Sequence, residues 1–250
     1  MDSLYPETFA RFYDLIYHQM RDSADSEFYL GEIMETKGRV LEIGTGTGRF
    51  FITALKQGAD IYGLDISPAM VNVLIEKLDK KERHRISVQN IIDFRHDFKY
   101  DLIIAPFRVF MHLLEKEDQI RALNNVYRHL NPDGRFIFDV FVPDLRQLIN
   151  GITNQTDFDG EYEPGKRLKR TVSTKPDLLN QLINIDFLLE WDEGNEVRQE
   201  HWLTPLRYFF RFELEHIVER SDFRNYKIIG DFLGNELREE SIEFIVICRK

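Results

Sequence analysis

With 250 residues and a formal net charge of −10, the chain is long enough to bury a full core as one domain or as one domain with an elaboration, and its 43% hydrophobic and 30% charged residues are ordinary for a soluble globular protein. Its acidic balance lacks the electrostatic footprint that nucleic acid or an anionic membrane requires, so neither is expected as a partner. A single cysteine, Cys248, excludes an intramolecular disulfide, and with no cysteine cluster in the chain no metal site is expected.

The first residues, MDSLYPETF, do not set a basic start before an apolar run, and no window reaches the ~18 apolar residues of a membrane span. The expectation is a cytoplasmic protein without a signal peptide. Phe9, Phe12, Tyr13, Ile16, Tyr17 and Met20 then recur at three- and four-residue spacing, which predicts one face of an amphipathic helix. That face either covers the core or, through Tyr13 and Tyr17 one turn apart, points two aromatic rings at one cavity.

The stretch RVLEIGTGTGRF, Arg39 to Phe50, is the most informative in the chain. Val40, Leu41 and Ile43 read as a buried parallel strand, Gly44, Gly46 and Gly48 follow at every second position, and Arg49 to Gln57 reads as a helix ended by Gly58. Glycine permits positive φ and close approach of a ligand to the backbone, and the free N–H groups of a helix start favour an anion or a carboxylate. Next, IYGLDIS predicts a second strand ending in Asp65, which either accepts hydrogen bonds from two ribose hydroxyls or faces solvent near a helix start. Ser67 and Pro68 suit the N-cap and first position of the following helix, with Met70, Val71 and Leu74 on its apolar face. Further strands are expected at Ile86 to Asn90 and Asp101 to Pro106. A helix marked by Ile120, Leu123 and Val126 or Tyr127 should end before Pro132, with a turn over Asn131 to Gly134 and a long strand through RFIFDVFVP.

After Val142 the pattern changes. Arg167 to Lys175, Leu182 to Glu190 and Glu196 to Trp202 read as antiparallel strands, with a turn at Asp192 to Asn195, and Ile183, Ile185, Phe187 and Leu189 alternate as in a sheet with one wet face. Thr204 and Pro205 are expected to break this insertion. A last helix within Arg207 to Phe223 and two strands, Ile228 to Phe232 and Ile242 to Cys248, complete the chain, with Cys248 expected as a buried, inert thiol.

The glycine turn discriminates between ligand classes. A dinucleotide fingerprint G-x-G-x-x-G/A would place Gly or Ala where Arg49 stands. The pattern present is E-x-G-x-G-x-G headed by Glu42, and with GLDISPAM it resembles the first two motifs of the class I S-adenosylmethionine (SAM)-dependent methyltransferases. YDLIY, Tyr13 to Tyr17, resembles the N-terminal lid of small-molecule members, and the late antiparallel strands resemble those of sugar-amine N,N-dimethyltransferases and glycine N-methyltransferase. The resemblance runs from about Tyr13 to Lys250, and its specific part is Val40 to Met70.

That resemblance implies an α/β, doubly wound, Rossmann-like seven-stranded sheet with the last strand antiparallel and an antiparallel β insertion before the last helix. It implies a SAM-binding core over 1–150 and 204–250, with the N-terminal helix as lid, and an insertion over 151–203. The cofactor would be SAM, yielding S-adenosylhomocysteine. Glu42, Gly44, Thr45, Gly46 and Gly48 would hold the methionine end and Asp65 the ribose. Met70, Asn90 and Ile91 would hold the adenine, with Asn90 standing where the family usually has Asp, and Ile66 beside Asp65 would also contact the cofactor. Ala105, Phe107, Arg108 and His112 would line the methionine and acceptor cavity, together with Tyr13 and Tyr17. His112 is either a general base or a structural histidine, and Tyr13 and Tyr17 are the other candidates for a catalytic role. Asp101 matches an acidic residue that opens the fourth strand in the family, without assigned chemistry. Most relatives have Gly where Asp222 stands, so the end of the last helix is expected to be strained or differently capped. The implied activity is methyl transfer to nitrogen or oxygen, rather than carbon, of a small-molecule acceptor. A nicotinamide-dependent oxidoreductase, or a non-catalytic SAM-binding scaffold on the same fold, is the alternative. The insertion would wall the acceptor pocket, pair subunits as a homodimer, or decorate the surface.

Overall fold

The computed structural model describes residues 5–20 and 24–250, without the side chains of Gln19 and Met20. The first four residues of the stretch read for a signal peptide, and the Met20 side chain of the helical face, lie outside these described residues. In chain order the elements begin with α1 (Glu7–Met20), α2 (Ala24–Glu35), β1 (Val40–Ile43), α3 (Arg49–Lys56), β2 (Ile61–Asp65), α4 (Pro68–Lys77) and β3 (Ile86–Val88). They continue with β4 (Tyr100–Ala105), α5 (Lys116–His129), β5 (Leu130–Phe141), α6 (Leu145–Asn150), β6 (Ile152–Glu163) and β7 (Lys166–Asp177). Last come β8 (Leu182–Glu193), β9 (Glu196–Arg207), α7 (Arg211–Arg220), β10 (Asn225–Ile229) and β11 (Glu243–Arg249). No helix among the described residues is long and apolar enough to cross a membrane.

The chain divides into two compact units, the described residues of 22–142 with 209–250, and those of 1–21 with 143–208. The larger unit holds a seven-stranded sheet in the order β10-β11-β5-β4-β1-β2-β3. β1, β2, β3, β4 and β5 pair in parallel, and β11 runs antiparallel to both β5 and β10. This is the expected doubly wound sheet with its last strand reversed. All four residues of β1 are buried and β4 is buried from Leu102 to Ala105, because helices cover both faces. On one face Tyr29, Ile33, Phe50, Phe51, Val71 and Leu74 pack on Val40, Leu102, Ile104, Ile137 and Ile245. Winding runs outward from β1 to β2 and β3 on one side, and to β4 and β5 on the other. The crevice beyond the strand ends at β1 and β4 is therefore where such a sheet binds ligands.

The opposite end of the sheet explains Asp101. Its carboxylate accepts from the Arg39 N–H at 2.9 Å and from Asn131 Nδ2 at 3.0 Å, and a Cβ at Gly38 would collide with it. It ties strand openings and stands apart from the ligand edge. Residues 131–134, expected as a turn between helix and strand, instead bulge out of β5: Tyr100 pairs with Leu130 and Leu102 with Arg135, and Asp133 takes φ 65°. The first of the last two strands ends at Ile229, earlier than expected. At Asp222 no left-handed cap forms: α7 ends at Ser221 in an extended conformation (φ −83°), so the missing glycine imposes no strain.

In the smaller unit β6-β7-β8-β9 form an antiparallel meander, and α1 packs within it. β6 escapes sequence reading because ITNQTDFDGEYE is polar, buries only Phe158, and shifts register three times against β7. Pro205 does not end β9, which continues to Arg207. β9 is an edge strand with one unpaired side, where a missing N–H costs no ladder bond. Phe9, Phe12 and Ile16 of α1 bury against Phe158, Leu168, Leu189, Trp191 and Trp202. Trp202 is central, with ring centroids 4.1 Å from Tyr5, 5.3 Å from Phe9 and 5.5 Å from Phe187. Replacing Trp202 by Ala removes the common partner of α1 and β8 and should cost about 3 kcal/mol or more. Urea unfolding followed by circular dichroism checks this, and an unchanged midpoint would refute it.

Candidate functional site

All three glycines of the turn between β1 and α3 have positive φ, 70°, 57° and 93° at Gly44, Gly46 and Gly48. A side chain at Gly44 would collide with Val109, and one at Gly48 with Leu74 and Ile52. At Gly46 a Cβ would meet only the Gly44 carbonyl oxygen at 3.9 Å, so the turn is packed on its inner side and open over Gly46. Thr45, expected among the ligand contacts, turns inward: its hydroxyl bonds the Glu42 carbonyl at 3.0 Å and lies 3.2 Å from that of Leu64. It fixes the ends of β1 and β2.

Glu42 is 1% exposed, and its Oε2 has no hydrogen-bond partner among the described residues. Burial first, and then Asp65, raises its pKa well above the usual carboxylate value, against the lowering effects of Arg49 and the Phe51 backbone. A cationic amino group at this place would supply both the missing hydrogen bond and the missing charge. Asp65 sits at the end of β2, 8% exposed, its Oδ2 accepting from Gly46 N–H and its Oδ1 from Ser67 N–H, each at 2.8 Å. Burial raises its pKa, while the N–H groups of Ser67, Gly46 and Ile66 oppose the rise. With about four acceptor sites on the carboxylate, these donors leave room for a ligand hydroxyl. The orphaned Glu42 oxygen, the open place over Gly46 and the Asp65 acceptors fit the amino end and the ribose of SAM.

Ile66 is half exposed beside Asp65, whereas Met70 is 2% exposed on the inner side of α4. Asn90 uses its Oδ1 to accept the Ile92 N–H at 3.0 Å, and Ile91 is buried with its carbonyl held by Asn125 Nδ2 at 3.1 Å. Beyond β4, Ala105 is buried, while Phe107 and Arg108 both adopt left-handed backbone, φ 58° and 69°. Two such residues in succession need an external hold. Asp139, 1% exposed on β5, provides it: it accepts Phe107 N–H at 2.8 Å, Arg108 N–H at 3.3 Å, the Arg108 guanidinium and the Tyr29 hydroxyl at 2.6 Å. Glu243 pairs with the same guanidinium, so Arg108 is engaged in this network. Burial and Asp139 together push the Tyr29 phenol up. Sequence reading missed Asp139, Tyr29 and Glu243, though a lone Asp inside the apolar run RFIFDVFV was the available signal.

His112 ends a short 3₁₀ turn, Val109–His112, with an exposed side chain. Crowding by the surrounding protein lowers its pKa even though the ring keeps solvent contact, so the neutral form is favoured at physiological pH. Tyr13 and Tyr17 belong to the smaller unit, with ring centroids 4.4 Å apart, and the Arg170 guanidinium lies 4.8 Å over Tyr17. Arg170 is 3% exposed and pairs with both carboxylate oxygens of Asp157.

Residues 41–136 match a family model described as a methyltransferase domain. The chain is 31% identical over 250 residues to a glycine/sarcosine N-methyltransferase of Halorhodospira halochloris, covering 95% of this chain and 85% of that protein. It is 30% identical over 260 residues to the glycine/sarcosine N-methyltransferase of Aphanothece halophytica, covering 98% and 89%. Among solved structures, the sugar N-methyltransferase KedS8 of Streptoalloteichus superposes with a TM-score of 0.75 at 16% identity, over 95% of this chain and 93% of that one.

Because the folded pKa of Glu42 lies above its usual 4.5, the folded state binds more protons than the unfolded state above that pH. Stability then falls as pH rises from about 4.5 through the folded value, by about 1.4 kcal/mol per pH unit for one proton. Glu42→Gln should remove this loss, so the stability difference between variant and wild type grows in favour of the variant from pH 4.5 to pH 8. Urea unfolding across that range measures it, and a pH-independent difference would refute the stored cost.

Proposed function

The chain belongs to the SAM-dependent methyltransferases, and from that premise we propose that it methylates the nitrogen of a small amine, of the class that includes glycine, sarcosine and amino sugars. The observation that carries this is identity of 31% sustained over 95% of the chain, second sheet included, with a relative named for N-methylation of glycine and sarcosine. The fold shared with an enzyme named for sugar N-methylation agrees.

SAM supplies a methyl group on a cationic sulfur and leaves as S-adenosylhomocysteine. In our reading, Glu42 and the turn over Gly44, Gly46 and Gly48 hold its amino-acid end, and Asp65 takes the ribose hydroxyls. Ile66, Met70, Asn90 and Ile91 border the adenine, the last two through side-chain and backbone groups. Ala105 and Phe107 flank the methionine end, with the Phe107–Arg108 turn set by Asp139. Tyr13 and Tyr17 serve as the aromatic part of a lid, where ring faces suit a cationic centre and exclude water. Methyl transfer needs alignment more than acid–base help. An alkylammonium titrates near 8 to 10, well above an ordinary imidazole, and the protein around His112 lowers it further, so His112 is too weak a base to deprotonate the acceptor and is assigned to lining the cavity. The acceptor amine loses its proton to solvent. Cytoplasmic residence, a lack of nucleic-acid partners and pairing of subunits through the second sheet belong to the same proposal.

S-Adenosylhomocysteine release, measured with glycine, sarcosine and an amino sugar beside their hydroxyl counterparts, tests the acceptor class. Turnover is expected with at least one amine and to rise between pH 7 and pH 9. Turnover of hydroxyl acceptors alone would overturn it. Asp65→Ala should weaken S-adenosylhomocysteine binding by about tenfold or more in calorimetry, through two lost hydrogen bonds. His112→Gln should lower kcat by less than about tenfold, whereas a general base would be worth about a hundredfold or more.

A further inference from the structure

The larger unit carries a second concavity. Between α5 and the segment joining β3 to β4 lies a recess of ≈ 400 Å³, bordered by Asp93, Arg95, Arg121, Asn125, Arg128 and His129, with the Phe94 ring buried at its floor. This is a pocket-sized volume, larger than a lone oxyanion needs. Its walls are built. Asn125 is 4% exposed and donates through Nδ2 to the carbonyls of Ile91 and Phe94, at 3.1 and 3.2 Å, while its Oδ1 accepts from Arg128 at 3.3 Å. His129 donates through Nδ1 to the Asn125 carbonyl at 2.8 Å, leaving Nε2 to accept the His96 N–H at 3.4 Å, and its ring lies 4.3 Å from that of Phe94. This hydrogen bonding holds the neutral tautomer, so the charge of the recess comes from the arginines.

Three arginines face one lining carboxylate, Asp93. Arg121 is paired with Asp118 at 2.8 Å, whereas Arg95 and Arg128 have no ion pair among the described residues. In a chain of net charge −10, two uncompensated guanidinium groups around one concavity repel each other and focus a local positive field. Guanidinium groups match phosphate oxygens in pairs, and the half-buried Ile92 on the lining gives an organic part an apolar surface.

We propose that this recess binds a small organic phosphate monoester, separately from the SAM site. The ester is held by Arg95 and Arg128, with Arg121 released from Asp118 to join them. Asn125 also anchors the Ile91 carbonyl, so the occupant sits one hydrogen bond from the segment that borders the adenine in the reading above.

The test is calorimetric titration of the whole protein with glucose 6-phosphate and with inorganic phosphate, at low salt, with and without saturating S-adenosylhomocysteine. Glucose 6-phosphate should bind saturably and more tightly than inorganic phosphate, should weaken as salt rises, and should not be displaced by S-adenosylhomocysteine. The Arg95→Ala/Arg128→Ala variant should lose about tenfold or more in that affinity while binding S-adenosylhomocysteine as the wild type does, which shows that it is folded. Asp93→Asn, which removes the opposing charge, should tighten binding. The proposal is overturned by no saturation in the wild type, by inorganic phosphate binding as tightly as the ester, by equal affinity in the double variant, or by displacement with S-adenosylhomocysteine.

Discussion

The Asp65 carboxylate, fixed at the end of β2, accepts the Gly46 N–H at 2.8 Å and thereby holds the middle of the glycine turn against the next strand. Around that bond the rest of the ligand edge takes its form. Thr45 closes the strand ends below it, Gly44 and Gly48 let Val109 and Leu74 pack against the backbone, and Gly46 is left open above. A parallel sheet must bring each strand end back through a crossover, and here the crossover starts in a turn with three positive-φ positions, two of which also leave no room for a Cβ.

The same edge stores unfavourable electrostatics. Glu42 and Asp65 are two buried carboxylates, the charge of Asp65 adds to the cost of ionising Glu42, and one oxygen of Glu42 lacks a partner among the described residues. Core packing on both faces of the sheet offsets that cost, and a cationic ligand group relieves it. Asp139 is organised in the opposite way. Its four donors come from Tyr29, the Phe107 and Arg108 backbone and the Arg108 side chain, so a buried charge there is well satisfied and serves to hold an otherwise strained turn. One carboxylate waits for a ligand, and the other shapes the wall.

The smaller unit follows a different logic. It has one sheet, one covered face and a core that is largely aromatic, with α1 supplying Phe9, Phe12 and Ile16. Its inward alternation runs through Leu168 and Arg170 on β7, Leu189 and Trp191 on β8, and Trp202 and Thr204 on β9. Arg170 is tolerated in that face because Asp157 takes its guanidinium in a fork and the rings of Tyr17 and Phe187 stack on it.

The strand-glycine-helix unit, the position of Asp65, the Ser67–Pro68 helix start and the alternating order of the larger sheet were legible from the residues, because each depends on local chemistry or on a short periodicity. The antiparallel strands β7 to β9 were legible for the same reason, through alternation and a Gly-Asn turn. β6 was not, since a polar edge strand has no periodicity to announce it, and the end of β9 was misplaced because whether Pro205 breaks a strand depends on which neighbour it lacks. Asp139 and Glu243 converge from distant segments on Arg108, with Tyr29 from a third donating to Asp139, and the arginine recess on α5 is assembled from two. Sequence determined which residues could serve a ligand edge. Tertiary structure decided which of them face it, because burial, pairing and strain are set by neighbours far away in the chain.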